Sequence, residues 1–306
     1  MAKKKKSVKN STKKQKSTQA ELAWLPRKTF ELKITLPWAK VKEAYNQTLQ
    51  DKAAGITIKG FRKGKAPLKL VEEKLDRQEL YQGVLTRLLP EAYQQAIQKH
   101  HLSPIIAPQI KPLSIKENED WQFQALACER PEVKLGDYQQ KVKGALAKEN
   151  IWTPAKGKPD EETKKKKTAS YDQKLKIVTQ TLLTEAGVEL PEILIKDELK
   201  RMLANFLDQV NALGMTLQDY LASKGITNQQ LRENYRDQAE KTLKLEFILQ
   251  AVIQDREIKV AKEEIDKMIA AAQDKKTKER LEKPAQRAYI SSILAKRKVL
   301  DYLTNL

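Results

Sequence analysis

The chain has 306 residues, of which 40% are hydrophobic, 32% charged and only 6% aromatic, with 10 Gly and 12 Pro. This composition suits a helix-rich chain of two or three domains and excludes collagen-like, mucin-like and wholly disordered classes, as well as a fold built from many aromatic strands. A single cysteine, Cys128, excludes a disulfide framework and a multi-thiolate metal site, and two adjacent histidines, His100 and His101, are a poor basis for a histidine-based zinc centre or catalytic triad.

The net charge of +19 is unevenly spread. Residues 1–20 carry eight lysines and no acid, and residues 139–170 hold nine bases against four acids. Segments 21–138 and 171–306 are nearly balanced, so no basic face running over all the domains is expected. No run of apolar residues approaches the roughly 20 that a membrane span needs. Lys3–Lys6 are followed by no apolar stretch of a secretion signal, since Val8 is the only large aliphatic residue before Leu22. The chain is therefore expected in the cytoplasm, away from membranes.

In chain order, residues 1–20 read as a disordered tail. Phe30 to Leu36 alternates apolar and polar residues, the period of a half-buried strand. Pro37 stands at a helix start, and Trp38, Val41, Tyr45 and Leu49 mark an amphipathic helix ending near Gly55. Residues 59–67 form a loop. Helical spacing resumes near Leu68 and runs through Leu80, Val84, Leu88, Tyr93 and Ile97, with a break expected at Pro90. Strands are expected around 110–115 and 121–126, which completes an α+β domain over 21–138. Residues 139–170 read as a basic linker. An all-α domain over 171–306 follows, with helices near 171–183, 191–213, 227–254, 261–272 and 284–304, and breaks at Gly214 and Gly225.

The most informative stretch is Gly60-Phe61-Arg62-Lys63-Gly64-Lys65-Ala66-Pro67. From Lys52 to Lys69 there are six cations and no acid. Such a glycine-hinged loop holds one aromatic ring among cations, a pattern suited to RNA phosphates or protein carboxylates with the ring as apolar anchor. Equally, basic loops are common as solvated turns. A phosphate-cradling loop does not fit: Gly60 to Gly64 is one residue short, and Ala66 replaces the required Ser or Thr.

The octapeptide followed by a helix resembles the ribosome-docking signature of the trigger factor family, bacterial chaperones that meet nascent chains at the exit tunnel. The resemblance continues through Tyr93, Ala96, Leu102-Ser103-Pro104, Phe123, Glu132-Val133, Leu135 and Asp137-Tyr138. In the second half it runs through Val188 to Glu192, Leu213-Gly214-Met215, Tyr220-Leu221, Leu231-Arg232, Ala261 and Glu263-Glu264-Ile265. It implies a ribosome-docking α+β domain joined by the basic linker to a helical chaperone domain. It also implies an ATP-independent chaperone whose partners are the large ribosomal subunit near the tunnel exit, both protein and rRNA, and unfolded or nascent polypeptides.

By this resemblance Gly60, Phe61, Arg62, Lys63, Gly64, Lys65 and Pro67 would touch the ribosome. Met202, Phe206, Met215 and Met268 are candidates for a client-facing surface, because thioethers adapt to varied partners, though simple core is an equal reading. The family usually carries a prolyl-isomerase domain of the FK506-binding type between its halves. Residues 139–170 fall short of the roughly 50 a domain needs, so that domain and its catalytic residues are expected to be absent, and the helical half shows no concentration of aromatics. No catalytic residue, cofactor or metal ligand is assigned. The remaining features read blandly: His100-His101 as a helix cap, Cys128 as a small buried hydrophobe, and Glu72-Glu73, Glu161-Glu162 and Glu263-Glu264 as solvated faces. Two other functions fit the residues: an RNA-binding ribosome-assembly protein acting through its lysines, and a residual prolyl isomerase.

Overall fold

The computed structural model describes residues 18–150, 162–272 and 274–306. Most of the expected tail and the middle of the expected linker lie outside the described residues. Contacts divide the chain into two compact units, Met1–Arg130 and Pro131–Leu306.

The first unit contains β1 (Gln19–Leu25), β2 (Thr29–Leu36), α1 (Trp38–Gly55), α2 (Leu68–Lys74), α3 (Arg77–His100), β3 (Gln109–Ser114) and β4 (Trp121–Cys128). The sheet is antiparallel in the order β1-β2-β4-β3. Its two central strands bury one face each, with Phe30, Leu32, Ile34 and Leu36 opposite Ala127, Ala125, Phe123 and Trp121 in register. Large residues face small ones at one end and bulky pairs fill the other, which lets α1 and α3 close over the sheet. The start of α1 is fixed by Asp120, whose Oδ1 accepts from the Trp38 N–H at 2.9 Å, a carboxylate at the positive end of the helix. Where α3 crosses α1, Gly83 permits close approach: a methyl there would lie 2.4 Å from Thr48 Cγ2.

Several expectations need correction in this unit. Residues 19–25 form a strand paired with β2, so the expected tail ends before Gln19. Helix α3 runs through Pro90, because burial of Leu89, Ala92 and Ala96 offsets the one backbone bond that proline removes. The helical break comes earlier, at Leu75-Asp76, where the Asp76 carboxylate caps α3 by accepting from the Gln78 N–H.

Among the described residues the second unit's regular structure is helical apart from a two-residue pairing of β5 (Val133–Lys134) with β6 (Gly187–Val188). Its helices are α4 (Tyr138–Asn150), α5 (Glu162–Glu185), α6 (Glu192–Ala212), α7 (Leu217–Lys224), α8 (Asn228–Asp255), α9 (Lys262–Ala270), α10 (Lys275–Leu281) and α11 (Pro284–Thr304). One apolar cluster joins α4, α5, α8 and α11 through Val142, Leu182, Ile248 and Val299. A second joins α6, α7 and α8 around Phe206, Val210 and Leu231, and a third joins α9 to α11 around Ile265, Ile269 and Ile290.

The linker expected over 139–170 is corrected in the same way. Tyr138, Val142 and Leu146 recur every four residues and are buried, so 138–150 is a helix of this unit's core whose lysines face outward. The divide falls at Arg130/Pro131, ahead of the expected boundary at 138. Helix α10, between two expected helices, was not foreseen; its cap is Asp274, whose carboxylate accepts from the Lys276 and Thr277 N–H groups.

Candidate functional site

The loop between α1 and α2 is built from two successive tight turns. The Phe61 N–H donates to the Ile58 carbonyl at 3.0 Å, and the Lys65 N–H donates to the Arg62 carbonyl at 2.9 Å. The third residue of each turn is a glycine with positive φ, +93° at Gly60 and +75° at Gly64, while Lys59 and Lys63 before them keep negative φ. These are type II turns, whose third position favours glycine because a side chain there is strained. At Gly64 the space is limited as well, since a methyl group would sit 3.3 Å from the Ala54 carbonyl oxygen.

Beneath the turns the ends of the loop are held. Ile56, Ile58 and Ala66 pack against a satellite cluster of Leu49, Ala53, Val71 and Leu80 drawn from α1, α2 and α3. The Tyr45 hydroxyl donates to Glu72 Oε1 at 2.8 Å and ties α1 to α2; burial, with that bond beside it, pushes the phenol up. Pro67 precedes α2 and presets the turn into the helix. The hydrophobic anchors face inward, so the residues between them face solvent.

Phe61 is 41% exposed at the tip, and Arg62, Lys63 and Lys65 are exposed around it. Lys52 and Arg87, on the helices below, pair with Glu79 and Asp51. Among the described residues no ion pair engages Lys59, Arg62, Lys63, Lys65 or Lys69, so five cations within eleven residues meet solvent around one ring. Leu68 and Leu70, on α2 beside the loop, are each 40% exposed and widen its apolar patch. Neither is among the residues expected from the sequence to form the site. A seven-residue helix with Leu68, Leu70 and Val71 cannot turn all three toward α1, and that spacing was the available signal.

The candidates in the helical unit are not brought together. Phe206 is 6% exposed and packs edge-on to Tyr220 at 4.9 Å and tilted to Tyr235 at 5.4 Å. This three-ring cluster corrects the expectation of no aromatic concentration, which arose because residues 206, 220 and 235 lie on three helices. Met215 packs on the same cluster, Met202 is half-buried on α6, and Met268 is exposed on α9. A groove of about 640 Å³ opens between α6, α7 and α8; Phe206 lines it with Leu199, Leu203, Leu207, Leu217 and Leu231, and the methionines do not.

The other features sit in structural roles. His101 adopts a left-handed conformation as the C-cap of α3, and Cys128 is fully buried in β4. Among the described residues no three of His, Cys, Asp and Glu converge as metal ligands, and no helix is long and apolar enough to cross a membrane.

Comparison with known proteins gives two family matches: bacterial trigger factor protein over residues 21–151, and bacterial trigger factor protein C-terminus over residues 157–305. A trigger factor of Staphylococcus epidermidis is 38% identical over 107 residues, and one of Staphylococcus aureus is 37% identical over 107 residues. Each alignment covers 35% of this chain and 25% of the relative, so the chain spans about a quarter of the length of the curated relatives it matches. A solved structure of the trigger factor chaperone, from work on its promiscuous substrate recognition in folding and assembly, superposes with a TM-score of 0.62. That match covers 94% of this chain and 99% of the other at 13% identity, a likeness of fold.

Proposed function

The chain belongs to the trigger factor family, and on that premise we propose that it is a ribosome-associated chaperone that works without ATP. The loop 60–67 docks it at the large subunit near the tunnel exit, on protein and rRNA, and the helical unit receives unfolded or nascent segments. The observation that carries this reading is the pair of glycine turns holding Phe61 outward among cations that have no ion pair among the described residues. An exposed ring ringed by charge costs solvation in isolation and gains on meeting an apolar pocket lined by acids or phosphates. The chain is proposed to act in the cytoplasm, where ribosomes are. Co-sedimentation tests the docking half: the protein is expected in the ribosome pellet at physiological salt, and retention in the supernatant would overturn it.

The absence of isomerase activity is part of the proposal. The two family matches leave only residues 152–156 between them, too few for an intervening domain. Isomerisation requires a pocket that lowers a barrier of about 18–20 kcal/mol about an X-Pro bond. No acceleration over background is expected with a proline-containing test peptide. An acceleration that rises with protein concentration would contradict this.

A further inference from the structure

The groove between α6, α7 and α8 has walls of uneven chemistry. Its floor is leucine-rich, whereas its rim carries Lys196, Lys200, Arg232 and Arg236, and no acidic side chain lines it. Two of the four cations share one carboxylate at one end. Both oxygens of Glu192 accept from the Arg236 guanidinium, at 2.7 and 2.8 Å, and Lys196 Nζ lies 3.9 Å from the same carboxylate. Four residues further along α6 and four back along α8 stand Lys200 and Arg232. Both are exposed, and neither has an ion pair among the described residues.

We infer that this groove selects, among unfolded segments, those in which carboxylates flank apolar side chains. The inference rests on the client-binding reading above and names the class of client that one surface prefers. An apolar segment lying on the leucine floor gains by burial whatever its flanks. Flanking aspartates or glutamates then meet Lys200 and Arg232 beside a low-dielectric floor, while flanking lysines meet like charge. The net charge of +19 attracts acidic peptides to the whole chain, so the groove's own contribution must be separated from that background.

The experiment uses the full chain and three fluorescent peptides of about twelve residues. They share one leucine-alanine core and differ in flanks of aspartate, serine or lysine. At low salt the aspartate peptide is expected to bind at least about fivefold more tightly than the lysine peptide, with serine between them, and the difference should vanish near 1 M salt, where screening reaches about 3 Å. The double reversal K200E/R232E is expected to invert the order. K143E/K176E changes net charge equally at exposed positions on α4 and α5 and should leave the order intact. Equal binding of the three peptides, or an order that K143E/K176E changes as much as K200E/R232E, overturns the charge selection and leaves the chaperone reading standing. Binding that falls as protein concentration rises assigns the groove to a second copy of the chain and also overturns the selection. Failure of all three peptides to bind counts against client capture itself.

Discussion

Replacing Phe61, Arg62 and Lys63 together by alanine is expected to weaken ribosome association by about a hundredfold or more with little change in thermal stability. Truncating a buried aromatic or arginine anchor at an interface costs about 2 kcal/mol or more. Two such losses exceed the 2.8 kcal/mol or so that a hundredfold change in affinity requires. Stability should hold because all three side chains face solvent, Gly60 and Gly64 still supply the positive-φ positions, and Ile58 and Ala66 still anchor the loop ends. Gly64→Ala is the complementary variant: it keeps every charge and the ring but strains the second turn against the Ala54 carbonyl, and it should weaken docking by an intermediate amount. Co-sedimentation across a protein titration, with a thermal melt of each variant, measures both effects. Unchanged pelleting of the triple variant would remove the loop from the interface.

The second large effect concerns where the helical unit begins. A fragment from Pro131 to Leu306 is expected to unfold cooperatively and to suppress aggregation of a chemically denatured client. A fragment from Tyr171 to Leu306 is expected to do neither. Helix α4 contributes Tyr138, Val142 and Leu146, all at most 5% exposed, to the cluster containing Val178, Leu182, Ile248 and Val299. Fully burying one such side chain contributes about 1.5–3 kcal/mol, so losing three removes several kcal/mol from a total that is typically about 5–15. The Tyr138 hydroxyl, which donates to Asp255 Oδ2 at 2.8 Å and accepts from Arg256 Nε at 3.1 Å, is lost as well. Circular-dichroism melts and light scattering of the denatured client read both properties. A fragment from Tyr171 that melts and protects like the longer one would show α4 to be dispensable.

These two cases mark what the residues made legible. The form of the loop 60–67 could be read because glycine at two fixed turn positions and a run of cations are local features that need no tertiary partner. The central strands could be read because β2 and β4 each bury one face, leaving strict alternation. Helix α4 was obscured because its apolar positions are only one in four amid Lys141, Lys143 and Lys148, and its burial depends on residues more than thirty positions away. Strand β1 was hidden by the lysine-rich segment before it and by its place at the sheet edge, where one face is all that packing constrains. The aromatic cluster and the groove depend on how α6, α7 and α8 pack, so spacing within any one helix does not reveal them.

The central claim is that docking through the loop delivers nascent segments to the helical unit. Ribosomes stalled on an unfolded, apolar nascent chain carrying a photo-crosslinker outside the tunnel provide the direct measurement. Tethering raises the local concentration of the helical unit around the emerging chain, so capture by that unit should depend on the loop. With both proteins at the same concentration, strong crosslinks are expected from the parent chain and only a small residue of them from F61A/R62A/K63A. The variant should still protect a free denatured client as well as its parent does. Equal crosslinking by parent and variant would contradict the account.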